Sequence, residues 1–297
     1  MTNEEACKQL EQLDVRNSSV DEVRQLFKTI GRIPAIAANL KVGTCLHRTR
    51  MGRGYYSSMD LTYKKPRLCT TMQRASLPNE SVFYGCLADD QRHLENGRAL
   101  GLLECSSLAR DMNAFGREYV TASVWTVTSP IRVVSFITDQ TYANTKKLSE
   151  QVKFFINLYR KEHAHVSSFE RRAGLVIDRE FCKIVEDNRD YLITATLVHD
   201  MLYDPNDNYD AVIYPSVQAR GDLGLNIAIK PTVADSKLKI WRIIDQTHYR
   251  KNDQTLLWID KGYDEHLHRL TNEPMTEEIL FEKMGIRNPQ EFPVFKH

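Results

Sequence analysis

Apolar residues recur every three or four positions at the start of the chain and later give way to short β-leaning runs. Residues 3–14 read as a helix. Ser19 followed by Glu22 forms a capping box for a second helix, with Val20, Val23, Leu26 and Phe27 on one face. Pro34 breaks that pattern. From Gly43 to Tyr63 the segments TCLHRTR and YYSSMDLTY lean towards β structure, and SVFYGCL reads as a strand after the turn LPNE. RALGLLECSSLARDM, residues 98–112, returns to helical spacing with Glu104 near its middle. YVTASVWTVT and IRVVSFIT are the clearest strands.

Further on, Asn144 is placed to cap a helix through about Arg160, with Leu148, Val152, Phe155 and Tyr159 on one face. A second helical region is expected over roughly Arg179 to Leu202. DPNDNYD is turn-rich, and AVIYPSV, LNIAI, KLKIWRI and TLLWI read as strands. Thr276 caps a last helix ending at Gly285. Strands and helices alternate too irregularly for a doubly wound sheet, and no Gly-rich phosphate loop follows a strand, so the expected fold class is α+β.

Composition narrows the function classes. The chain of 297 residues is formally +1, yet Lys41 to Arg74 holds eight Lys and Arg against the single acid Asp60. That window carries +7 and the rest −6, a pattern that fits one anionic ligand better than a long polyanion. Nucleic acid is therefore an unfavoured partner, although Tyr55, Tyr56 and Tyr63 interleave the basic residues. Six scattered cysteines without a CxxC pair are expected to be reduced thiols, and no zinc site is expected. The polar, acidic N-terminus is unlike a signal peptide and no apolar run reaches about 20 residues, so a cytoplasmic protein without a membrane partner is expected.

Several side chains are candidates for chemistry. Arg48 and Arg50 would share one side of a strand, and Arg74 precedes a turn. Converging guanidinium forks suit a pyrophosphate, while a basic edge strand is the plainer alternative. Glu104 lies in an apolar run, where a carboxylate either marks the solvent face or borders a cleft. Tyr84 follows a strand start, and Ser216 and Asn226 lie in YPSVQARGDLGLN, where a strand runs into a loop. The pairs His163/His165 and His266/His268 have i, i+2 spacing, which does not put both on one helix face. HExxH and GxSxG are absent.

Taken in order, RTR, QRASLPNESVFYG, ALGLLEC and AVIYPSVQ with the following LNIAI resemble the RES domain family, named for its Arg, Glu and Ser, over roughly residues 43–232. The turn motif reads Gln73-Arg74-Ala75-Ser76 where that family often has GRWN. The resemblance implies a fold similar to ADP-ribosyltransferases, with a helical N-terminal extension (1–38), a catalytic domain (39–237) with a helical insertion near 144–203, and a C-terminal extension packed on it (238–297). It implies NAD as substrate, no separate cofactor and no metal. The acceptor would be phosphate in a phosphorylase, water in a glycohydrolase, or a protein side chain in an ADP-ribosyltransferase. By resemblance, Glu104 is the catalytic acid, Arg48 the first arginine with Arg50 as its alternate, Arg74 the turn arginine, Tyr84 the pocket tyrosine, Ser216 the serine and Asn226 a distal polar contact. It also implies a toxin with an antitoxin partner, and self-association through the extra helices is an added expectation. A non-catalytic nucleotide-binding module is the alternative that keeps the arginines without requiring Glu104.

Overall fold

A computed structural model describes residues 1–55, 57–88, 95–205, 208–264, 269–270, 275–287 and 292–295. His266 and His268 lie outside these residues. In chain order the elements are α1 (Asn3–Glu11), α2 (Val20–Ile30), β1 (Ile36–Leu40), β2 (Cys45–Met51), α3 (Ser58–Leu61), β3 (Phe83–Ala88), α4 (Glu95–Cys105), α5 (Ser107–Arg110), β4 (Phe115–Val127) and β5 (Ile131–Ser135). They continue with α6 (Glu150–Glu162), α7 (Ser168–Cys182), α8 (Leu192–Tyr203), β6 (Ala211–Pro215), β7 (Gly224–Ile229), α9 (Pro231–Lys237), β8 (Leu238–Lys251), β9 (Gln254–Asp264), β10 (Arg269–Leu270) and α10 (Glu277–Met284). The α+β class is confirmed. Among the described residues, no helix is long and apolar enough to cross a membrane.

One sheet runs β1-β5-β6-β7-β3-β2-β4-β8-β9-β10, with neighbours antiparallel except for the parallel β5–β6 pair. Period-2 alternation gives it two apolar faces. Leu225, Ile227 and Ile229 of β7 join Ala211 and Ile213 of β6 on one face, packed with Val152, Phe155, Ile156 and Tyr159 of α6. Val212, Tyr214 and Ala228 point the other way, into a cluster built from α1, α2, α7 and α8. Each fully buried aliphatic side chain contributes about 1.5–3 kcal/mol, so this central segment is the best-anchored part of the fold.

The N-terminal helices belong to that second cluster through Ala6, Cys7, Leu10, Val23, Leu26 and Ile30. Glu11 accepts from Arg172 and, at 2.7 Å, from Arg179 of α7, and Arg24 pairs with Asp200 of α8 at 2.9 Å. The Ser19–Glu22 capping box is present as read. At the other end of the sheet, β8 follows β4 from Phe115 to Val127.

Several element boundaries differ from the sequence reading, four of them with a local cause or a changed element. Ser149, not Asn144, caps α6: its hydroxyl accepts from Val152 N–H at 3.3 Å. The region expected over 179–202 is the end of α7, a break, and α8. Residues 58–61, expected as β, form a single helical turn capped by Ser57. The helix expected over 98–112 stops at Cys105, because Ser106 turns its hydroxyl onto Ala109 N–H at 2.8 Å and starts a new turn.

Candidate active site

The site is organised by how closely α4 approaches β2. Gly97 and Gly101 are four residues apart and share one helix face, while His47 and Thr49 share one strand face. A Cβ at Gly97 would stand 2.3 Å from the His47 ring, and one at Gly101 would stand 2.4 Å from Thr49 Oγ1. Only glycine permits this contact, which holds the helix backbone against the strand. Three residues beyond Gly101 comes Glu104, the penultimate residue of α4. A carboxylate in the last turn opposes the helix dipole, typically by 0.3–1 kcal/mol, so its place is not set by helix stability.

Two side chains from another part of the chain meet this carboxylate. Ser216 Oγ donates to Glu104 Oε1 at 2.5 Å, and Asn226 Nδ2 donates to the same oxygen at 2.9 Å. Both donors are themselves held. Ser216 Oγ accepts from Ala219 N–H at 3.1 Å, and its carbonyl accepts from Tyr142 OH at 2.7 Å. Asn226 Oδ1 accepts from the Cys86 thiol at 3.4 Å. Burial and then the Glu104 charge push that thiol well above its ordinary range, which makes it a neutral donor rather than a nucleophile. Cross-strand register explains the convergence, since Tyr214, Asn226, Cys86 and His47 stand opposite one another on β6, β7, β3 and β2. Among the described residues no donor reaches Glu104 Oε2.

Arg48 comes from the opening in the sheet. Among the described residues, β2 and β3 share only the registered pair His47–Cys86. Beside it, Arg48 Nη1 donates to the Tyr84 carbonyl, and the guanidinium lies 5.4 Å from the Phe83 ring centre. Its Nε is buried, and among the described residues it has no hydrogen-bond partner and the guanidinium forms no ion pair. Burial, and then the neighbouring Arg50 charge, lower Arg48 to about 10, so it remains a cation at neutral pH. A half-buried guanidinium whose Nε is sealed from solvent, with no acid beside it among the described residues, is the feature an anionic ligand would relieve.

A cavity of about 510 Å³ joins these groups, within the usual range for small-molecule sites. Arg48, Arg74, Tyr84, Glu104 and Asn226 all line it. Ser216 is fully buried, and its hydroxyl bears on the cavity through Glu104. Arg50 is elsewhere: it follows Arg48 on the same strand face, but it donates to the Thr62 carbonyl at 2.9 Å and does not line the cavity.

Arg74 reaches the wall in a committed way. Gln73 and Ser76 exchange backbone hydrogen bonds of 3.0 and 3.2 Å to close a tight turn, and Tyr84 OH accepts from Ala75 N–H at 3.2 Å and pairs with Ser76 Oγ at 3.1 Å. From that turn Arg74 donates to the carbonyls of Phe181 at 2.7 Å and Lys183 at 2.9 Å, at the end of α7. The guanidinium also lies 4.9 Å from the Tyr191 ring centre. It therefore caps a helix C-terminus, where a cation is favoured, as well as lining the cavity.

Sequence reasoning missed Tyr191, Tyr214, Arg110 and Cys86 on the wall. Tyr214 and Cys86 had a usable signal: each is two residues from a chosen one, Ser216 and Tyr84, and Tyr214 and Cys86 both stand opposite Asn226. Tyr191 and Arg110 had none, because α5 and the turn before α8 are brought in by tertiary packing. Among the described residues no three His, Cys, Asp or Glu side chains are grouped to hold a metal. No protein-family model matches the chain, and no curated protein matches it.

Chemically, the cavity offers a fixed carboxylate with one oxygen held and the other without a donor among the described residues, together with a half-buried guanidinium. This combination suits a substrate that carries anionic oxygens and develops positive charge as it reacts.

Proposed function

We propose that the protein cleaves the bond between nicotinamide and ribose in NAD, passing the ADP-ribosyl group to phosphate or water. The observation that carries the reading is the convergence of Ser216 and Asn226 on one oxygen of Glu104 at the wall of a cavity that also holds Arg48. The RES-like arrangement and the ADP-ribosyltransferase-like fold belong to the same proposal, supported by the order of the motifs and by this convergence.

In this mechanism the C1′–N bond breaks and its electron pair leaves with nicotinamide, which departs neutral and needs no general acid. The ribosyl centre becomes oxocarbenium-like. Glu104 stabilises that charge, most effectively in a water-poor pocket. Ser216 and Asn226 are positioning residues that fix the carboxylate. Arg48 neutralises pyrophosphate or phosphate oxygens, and Tyr84 borders the nicotinamide riboside. An oxygen of phosphate or water then bonds to C1′, and with water the released proton passes to solvent. A toxin role with an antitoxin partner rests on the resemblance alone.

Proton NMR of NAD incubated with the protein, with and without inorganic phosphate, tests the reading. Free nicotinamide in both samples indicates transfer to water, and phosphate-dependent release indicates a phosphorylase. Intact NAD in both, with line broadening on protein addition, would leave a nucleotide-binding module.

A further inference from the structure

A second cavity, of about 680 Å³, adjoins the first and shares Val217 with it. Asp178 of α7 lines it and is only 4% exposed. Asp178 Oδ2 accepts from Thr138 Oγ1 at 2.8 Å and Thr141 Oγ1 at 2.7 Å, whereas among the described residues Oδ1 has only a long thiol contact of 3.8 Å from Cys182. Tyr142, Leu175 and Val217 supply apolar surface. Arg220 stands at the same cavity and forms no ion pair among the described residues.

The loop of residues 216–221 faces the first cavity through Val217 and Gln218 and the second through Val217 and Arg220, and Tyr142 clamps it at both ends. Its hydroxyl donates to the Ser216 carbonyl at 2.7 Å, and its ring packs so closely on Gly221 that a Cβ there would stand 2.8 Å away. Tyr142 and Arg220 are both left-handed non-glycine residues, with φ of 59° and 48°. Such conformations are unfavourable for large side chains and gather where a ligand site dictates the backbone.

A buried carboxylate with an underused oxygen on a cavity wall calls for hydroxyl or amino donors from a ligand. Vicinal ribose hydroxyls satisfy a single carboxylate well, and a flat heterocycle suits the apolar side. We propose that this second cavity binds a nucleoside, with ribose hydroxyls donating to Asp178 and the base against Tyr142, Leu175 and Val217. The assignment to the adenosine half of NAD rests on the cleavage reading above.

Calorimetric titration with adenosine tests this directly, because adenosine has no nicotinamide bond to cleave. Adenosine is expected to bind the wild-type protein, and 2′,3′-dideoxyadenosine to bind roughly tenfold or more weaker, the usual size of a lost hydrogen bond to a charged group. Asp178→Asn should weaken adenosine by a similar factor. Leu175→Trp, at a partly exposed position that fills the cavity, should abolish binding while the protein still unfolds cooperatively in urea. No adenosine binding by the wild type, or binding unchanged in Leu175→Trp, overturns the proposal. The two readings fail separately: adenosine binding with intact NAD would remove the cleavage reading and leave this site, and NAD cleavage without adenosine binding would do the reverse.

Discussion

Replacing Gly97 by alanine separates two opposing effects whose sizes follow from the structure. In an exposed helix interior the change would stabilise by about 1 kcal/mol through helix propensity. Here the new methyl would sit 2.3 Å from the ring of His47, which is only 3% exposed and has little room to move. Ordinary contact begins near 3.4 Å, so α4 must lift from β2 or the ring must turn. Overpacking of this kind costs about 1–3 kcal/mol, which outweighs the propensity gain. The expected net loss is about 1 kcal/mol, or roughly 2–4 °C in melting temperature for a chain of this size class. The larger effect should fall on function. Lifting α4 moves Glu104 away from Ser216 and Asn226, bonds that are now 2.5 and 2.9 Å. A displacement of about 1 Å at a reacting group can lower turnover on the order of a hundredfold. Urea unfolding and nicotinamide release, measured on the same preparation, check both numbers. A Gly97→Ala protein more stable than wild type, with unchanged release, would refute the close α4–β2 contact and the route by which it positions Glu104.

Other changes have distinct expected outcomes. Asn226→Leu removes a donor to the Glu104 carboxylate and leaves the Cys86 thiol without its acceptor; turnover should fall, with about 1.5–3 kcal/mol of lost carboxylate stabilisation read as kcat/KM. Arg74→Ala uncovers the carbonyls of Phe181 and Lys183 at the end of α7 and should lower unfolding free energy by roughly 2 kcal/mol, measured in urea. Burial raises Asp178 above its ordinary 3.8 despite the Thr141 and Thr138 hydroxyls. The folded protein therefore holds that proton more tightly than the unfolded chain, and this group's contribution to stability falls as pH rises from about 4 through the folded value. Urea unfolding at pH 4 and pH 7 should show the wild type gaining on Asp178→Asn at the lower pH; a gain at the higher pH would contradict this.

The readable parts of the sequence were those where local chemistry and tertiary packing agree. The Ser19–Glu22 box and the strands read over SVFYGCL, YVTASVWTVT and IRVVSFIT follow from caps and alternation, and each is present, as α2's cap, β3, β4 and β5. The boundary at Asn144 was misread because Asn and Ser are comparable caps, and only the fold selects Ser149. The break at Ser106 was hidden because apolar spacing continues through Leu108, while the hydroxyl that ends α4 acts through the backbone. Within the site, residue types at Glu104, Ser216 and Asn226 were legible as candidates. Their meeting at one oxygen was not, since it depends on cross-strand register between β6, β7 and β3. The basic window was legible only as a field. Charge alone cannot say that Arg48 is half-buried with no acid partner among the described residues, while Arg50 turns to Thr62 and Arg74 caps α7.

The most direct test is nicotinamide release from NAD by purified wild-type protein and by Glu104→Gln, a substitution that keeps size and polarity but removes the charge. The mechanism requires release by the wild type and a loss on the order of a hundredfold or more in Glu104→Gln with cooperative unfolding preserved. Release at the wild-type rate by Glu104→Gln would contradict it.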